Sequence, residues 1–152
     1  MHYKSFDNFR IYVDTNVLRN YFTKQSADRA CLDYVFSKRR KEILFTSTFA
    51  VGQIISGLQK GTKERKAFSR EKAIESLDNI LLKFSIVDFT KKDLDKVYLY
   101  FNNDIEDNIH YVLSQKAKCN IIITNNISDY SYFKNIIAVS PKNYSFLRKS
   151  IK

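Results

Sequence analysis

The chain has 152 residues and a net charge of +10. That length suits one domain with a core of its own, and a 44% hydrophobic content with only three glycines and one proline excludes a wholly disordered chain. No apolar run approaches the ~18 residues that span a bilayer, and Met1-His2-Tyr3-Lys4 opens without a signal-peptide run, so the expectation is a soluble, cytoplasmic protein with no membrane partner.

In chain order, short apolar runs alternate with helical patterns. Ile11-Tyr12-Val13 reads as a first strand, followed by helices over 16–24 and 27–40. Ile43-Leu44-Phe45-Thr46 is a second strand. Over 48–60, Val51, Ile54, Ile55 and Leu58 recur at helical spacing. A helix over 67–83 leads to a third strand, Phe84-Ser85-Ile86-Val87. Helices over 90–101 and 104–118 come next, the latter with Ile105, Ile109, Val112 and Leu113 on one side and Asp104, Asp107 and Tyr111 roughly opposite. Ile121-Ile122-Ile123-Thr124 and Ile136-Ile137-Ala138-Val139 are the last strands, and Pro141 opens a final helix at its first turn. Most of these strands are continuously apolar, as in sheets covered on both faces. The alternation predicts a three-layer α/β/α sandwich around a mainly parallel sheet of four to five strands, in a single domain over 1–152.

Cys31 and Cys119 are far apart and outside any CxxC pair, so they read as buried, reduced small hydrophobes. His2 and His110 are too few and too distant for a zinc site, and His110 reads as a helix-face residue without a metal role. Most of the ten tyrosines read as packing residues.

The positive charge falls in two clusters. One is Lys38-Arg39-Arg40-Lys41; the other comprises Lys60, Lys63, Arg65, Lys66, Arg70 and Lys72. Either alone reads as a solvated face. Together with the net charge they point to RNA or DNA as partner, with Lys38, Arg39, Arg40, Lys63, Arg65 and Lys66 as candidate contacts.

Ligands of open parallel sheets bind beyond the carboxyl ends of the strands. Asp14 follows the first strand, and Thr124, Asn126 and Asp129 follow or end the fourth. Asp104 and Asp107 share one side of a helix start. Each has a plainer explanation: Asn103 with Glu106, or Asp104 with Asp107, would cap that helix, and acids after strands often cap the next one. Converging at one sheet edge, however, three or four carboxylates repel one another unless a cation neutralises them. Such oxygen donors suit Mg²⁺ or Mn²⁺. A basic protein with an acidic, metal-ready pocket suits phosphodiester hydrolysis of nucleic acid.

Three segments make the chain resemble the PIN domain family of VapC-type toxins. They are Ile11-Tyr12-Val13-Asp14-Thr15-Asn16-Val17-Leu18, Asp104-Ile105-Glu106-Asp107-Asn108-Ile109, and Ile123-Thr124-Asn125-Asn126-Ile127-Ser128-Asp129-Tyr130, with Val139-Ser140-Pro141 matching the family's usual ending. The resemblance implies an α/β/α fold, Mg²⁺- or Mn²⁺-dependent endoribonuclease activity, a blocking antitoxin partner and frequent homodimers. It implies Asp14, Asp107 and Asp129 as catalytic metal ligands and Asp104 as a supporting ligand. Asn16, Thr124 and Asn126 would orient ligands or water. The family usually carries Glu on the helix after the second strand, where this chain has Gln53. Gln53 could still support the site by offering its amide oxygen to a metal or a bound water, but it supplies neither charge nor a base. That departure keeps a second reading open: a catalytically weakened domain of the same fold that binds RNA or a protein without cleaving. A receiver domain or haloacid-dehalogenase-like phosphatase fits less well. The phosphatase needs Asp-x-Asp where this chain has Asp14-Thr15-Asn16. The receiver needs an acid pair before its first helix, and Lys142 after Pro141 is little support in so basic a chain.

Overall fold

A computed structural model describes residues 9–23, 26–37, 42–100 and 104–150. The apolar runs form five strands: β1 Arg10–Val13, β2 Ile43–Ser47, β3 Ser85–Val87, β4 Ile121–Ile123 and β5 Ile137–Val139. They make one sheet in the order β3-β2-β1-β4-β5, every pairing parallel. Strand order reverses at β1, so β1 and β4 flank the topological switch point where such sheets bind ligands.

Seven helices lie among the described residues: α1 Thr15–Phe22, α2 Ser26–Ser37, α3 Thr48–Lys60, α4 Arg70–Lys83, α5 Lys91–Val97, α6 Ile105–Lys116 and α7 Pro141–Ser150. A 3-10 turn spans Ile127–Tyr130. Side chains alternate across a strand, and here both sides are apolar. Ile11, Val13, Leu44, Ile121 and Ile123 face one core, with Val17 and Leu18 of α1, Leu32 of α2, Ile54 and Leu58 of α3, Ile80 of α4 and Tyr144 of α7. Tyr12, Phe45 and Ile122 face the other, with Val97 of α5, Ile109, Val112 and Leu113 of α6, and Tyr130 beside the 3-10 turn. This is the expected α/β/α sandwich. Cys31 and Cys119 are buried free thiols, as expected. No helix among the described residues is long and apolar enough to cross a membrane.

Local chemistry sets the helix ends. Ser47 caps α3, accepting from the Ala50 N–H at 3.1 Å, and Ser69 caps α4, accepting from the Lys72 N–H at 3.2 Å. Gly61 ends α3 at φ 69°, where a Cβ would meet the Ala67 nitrogen at 2.6 Å. Three expectations need correction. The helix expected from 67 starts at Arg70, because the Phe68 N–H turns back to the Leu58 carbonyl at 2.8 Å. The helix expected over 90–101 stops at Val97, since Tyr100 turns inward to lie edge-on against Tyr111 and Phe133. Ile105, expected on the apolar stripe of α6, is 65% exposed. It stands in the first turn of α6, while every residue from Asp107 to Ser114 is buried.

Candidate metal-binding acidic site

Asp14 leaves β1 and starts α1. Its backbone N–H donates to the Ile123 carbonyl of β4 at 3.0 Å, and its own carbonyl accepts from Val17 and Leu18 of α1. The side chain is buried and does not cap the helix. Oδ2 instead accepts from Thr124 Oγ1 at 2.8 Å, Asn16 Nδ2 at 3.0 Å and the Tyr130 hydroxyl at 3.4 Å. His110 Nε2 stands 3.5 Å from Oδ1.

Thr124 follows β4, fully buried, and also accepts from the Asn126 N–H at 3.0 Å. Asn16 accepts from the Asn125 N–H at 3.2 Å, tying α1 to the loop beyond β4. Asp28 of α2 braces the same loop, accepting from Asn125 Nδ2 at 2.7 Å and Asn20 Nδ2 at 2.6 Å. Asp129 is half-buried in the 3-10 turn, where its Oδ1 accepts from Ser128 Oγ at 3.4 Å.

Asp104 is exposed and caps α6: Oδ1 accepts from the Glu106 N–H at 2.8 Å and the Asp107 N–H at 3.4 Å. Of the two capping alternatives, the one with Asn103 lies outside the described residues. Asp107, one turn in, is buried and its Oδ2 is an unpartnered buried oxygen. Burial first, then the nearby charges of Asp104, Asp14 and Asp129, push its carboxyl up to about 7. Asp107 therefore feels the charge of the other three acids.

Among the described residues, no three His, Cys, Asp or Glu side chains are grouped closely enough to hold a metal ion as they stand. The chemistry of the donors nevertheless fits a hard divalent cation. Asp107 carries an oxygen with no donor, and its surroundings disfavour negative charge unless a positive one arrives.

Gln53 is half-buried, and its Oε1 accepts from Thr15 Oγ1 at 2.9 Å rather than from any of the acids' neighbours. His110, expected as a plain helix-face residue, is buried between Phe49, Tyr12 and Asp14. Burial lowers its pKa against the opposing pull of Asp14. Tyr12, Thr15 and Tyr130 also reach this cluster without having been assigned a role from sequence. Period-two alternation could have found Tyr12, the one polar tip between Ile11 and Val13.

Of the candidate nucleic-acid contacts, Lys63 and Lys66 are exposed on the loop after α3. Arg65 is half-buried. Its guanidinium donates to the Gly57 carbonyl at 3.1 Å and the Lys66 carbonyl at 2.8 Å, and it lies over the Phe68 ring. Two grooves meet at Arg65, one lined also by Arg19 and Lys60, the other by Lys66 and Lys72. Lys38, Arg39 and Arg40 lie outside the described residues.

The fold has solved counterparts. VapBC-1 from nontypeable Haemophilus influenzae superposes with a TM-score of 0.65 at 11% identity, covering 88% of this chain and 98% of that one. A sarcin-ricin-loop-cleaving toxin from Mycobacterium tuberculosis, VapC20, superposes with a TM-score of 0.61 at 12% identity, covering 80% and 95%. A toxin–antitoxin complex from Klebsiella pneumoniae gives 0.60 at 16%, covering 86% and 97%. At such identities the likeness is one of fold. No curated protein matches the chain. The family model described as PIN domain matches residues 11–131, from Ile11 in β1 to Ser131, just past the 3-10 turn that carries Asp129. The chain belongs to the PIN domain family.

Proposed function

We propose that this chain is one PIN domain acting in the cytoplasm as a divalent-metal-dependent endoribonuclease, the toxin of a toxin–antitoxin pair. The carrying observation is Asp107: a buried carboxylate with an unpartnered oxygen, set among Asp14, Asp129 and Asp104 at the switch point of the sheet. Asp14, Asp107 and Asp129 would hold Mg²⁺ or Mn²⁺, with Asp104 in support. Held by these residues, such a cation would offset their negative charge and would supply an activated water for phosphodiester hydrolysis. Thr124, Asn16 and Tyr130 keep Asp14 in place by donating to Oδ2, and Asn126 would orient bound water. The basic grooves at Arg65, with Lys63 and Lys66 beside them, would receive the RNA backbone, and Lys38, Arg39 and Arg40 are further candidate contacts. Cleavage of this kind leaves a 5′-phosphate and a 3′-hydroxyl. Solved neighbours that include a toxin–antitoxin complex and an RNA-cleaving toxin support an antitoxin partner and this substrate class, and homodimerisation goes with the same reading.

Incubating the purified chain with RNA and Mn²⁺ tests this directly, beside Asp14→Asn. Cleavage that Asp14→Asn loses by at least about 100-fold is the expected result. Equal products from both proteins, or none from either, sink the catalytic reading. Gln53 favours the second reading, a domain that binds RNA or a protein without cutting. Calorimetry separates the two. The weakened domain binds no Mn²⁺ until Gln53→Glu restores the charge, and its RNA affinity survives Asp14→Asn.

A further inference from the structure

Behind Asp14 five side chains form a continuous line from β2 to α3. Ser47 Oγ lies 2.8 Å from the Tyr12 hydroxyl, and that hydroxyl lies 2.9 Å from His110 Nδ1. His110 Nε2 is 3.1 Å from Thr15 Oγ1, which donates to Gln53 Oε1 at 2.9 Å. Tyr12, Ser47, Thr15 and His110 are all buried.

The donor inventory gives the line a direction. An amide oxygen only accepts, so Thr15 spends its one hydroxyl proton on Gln53. Thr15 Oγ1 is then an acceptor towards His110, and Nε2 carries the ring proton. In the neutral imidazole Nδ1 is then bare and takes the Tyr12 proton, while Tyr12 accepts from Ser47. The opposite direction requires the Gln53 amide to be turned over. Nε2 would then present a lone pair to Asp14 Oδ1 at 3.5 Å, two acceptors face to face. Only the first direction sets an N–H against the carboxylate.

We propose that Gln53 works through this line and not as a stand-in metal ligand: it fixes His110 as the Nε2–H tautomer, whose N–H is given to Thr15 Oγ1 at 3.1 Å on the side of the ring that faces Asp14 Oδ1, 3.5 Å from Nε2. His110 is then the positioning residue for Asp14, with Thr15 and Tyr12 setting its tautomer from either side. The importance of this for metal binding rests on the nuclease reading; the tautomer does not. A glutamate at 53 would also accept from Thr15, so the amide keeps the acceptor and omits the charge.

Imidazole ¹⁵N spectra of the metal-free protein test the assignment. The wild type is expected to show His110 with a protonated, pyrrole-like Nε2 and a bare, pyridine-like Nδ1. Gln53→Met removes the acceptor at similar size, frees the Thr15 proton for Nε2 and shifts the ring towards the Nδ1–H form, and Gln53→Glu restores the wild-type pattern. The Asp14 carboxyl ¹³C signal moves with the tautomer, and Mn²⁺ affinity falls about tenfold or more in Gln53→Met. A wild-type ring in the Nδ1–H form, or a Gln53→Met tautomer identical to wild type, overturns the proposal; the wild-type spectrum decides even if the variant does not fold. The expected tautomers with no Mn²⁺ binding in any variant support the positioning line and count against the nuclease reading instead.

Discussion

Two acids occupy the same place in successive helices and meet opposite surroundings. Asp93 stands three residues after Thr90, which starts α5, and Asp107 three residues after Asp104, which starts α6. Both are buried in a first turn, where the helix dipole favours negative charge. Burial pushes the Asp93 carboxyl up, but the Lys116 ammonium at 2.8 Å and the Thr90 N–H and hydroxyl, each at 2.8 Å, outweigh it and hold it below the usual carboxylate range. Around Asp107 the nearby charges are Asp104, Asp14, Asp129 and Glu106, all negative, and its Oδ2 has no partner. Helix position and burial therefore do not distinguish the two acids. The sign of the surrounding charge does: Asp93 is neutralised by its own chain, whereas Asp107 is surrounded by negative charge, as the proposed cation site requires.

The largest effect comes from removing each charge in turn. Asp107→Asn keeps the shape and should abolish Mn²⁺-dependent RNA cleavage by about 1000-fold or more, whereas Asp93→Asn should leave it within about threefold. Cleavage rates at saturating Mn²⁺ give the comparison. A similar loss in both variants would mean that the distinction between the two acids has no functional content.

Next comes pH. A three-unit rise in a carboxyl pKa corresponds to about 4 kcal/mol, and solvent near the site reduces that to about 2 kcal/mol. The unfolded chain loses the Asp107 proton near 3.8, the folded chain near 7. Between those values the folded state holds the extra proton, so metal-free stability falls as pH rises from about 4 to about 7 and is level above that. Asp107→Asn removes the slope. Urea midpoints from pH 5 to pH 8 check this, and parallel profiles for wild type and variant would show that Asp107 titrates normally. Mn²⁺ should bind more tightly as pH rises through 7, because the proton must leave before the oxygen can bind.

The layers of this fold and the edge that carries the acids were legible because they depend on local pattern. β-branched runs mark the strands, and the residue after a central strand stands at the sheet edge whatever surrounds it. That places Asp14 and Thr124. What the sequence left open depends on contacts across long separations. Tyr12 meets His110 across 98 residues, and Thr15 meets Gln53 across 38. The burial of His110, read as a helix-face residue without a metal role, was not legible because a helical wheel assumes one buried side, while α6 is enclosed from Asp107 to Ser114 by the sheet, α5 and the 3-10 turn. The same assumption assigned Ile105 to the core. Gln53 was legible as a departure from the family; that its oxygen is already taken by Thr15 was not.

The smallest expected effect sharpens the structural half of the comparison. Lys116→Met removes the ammonium from Asp93 and keeps the length of the stem. A buried pair broken on one side usually costs several kcal/mol, but Lys116 is 34% exposed along its side chain and Asp93 retains both Thr90 donors. Screening and those two hydrogen bonds reduce the loss to about 1 kcal/mol at pH 7. The sign with pH is opposite to that of Asp107. A depressed carboxyl contributes stability above its unfolded pKa and loses it as pH falls through the folded value, so the variant and the wild type should converge in acid. Thermal unfolding at pH 7 and in acid measures both. A constant gap at all pH values would mean that the ammonium acts through its 2.7 Å hydrogen bond to the Asp88 carbonyl, and that Asp93 owes its low pKa to Thr90 alone.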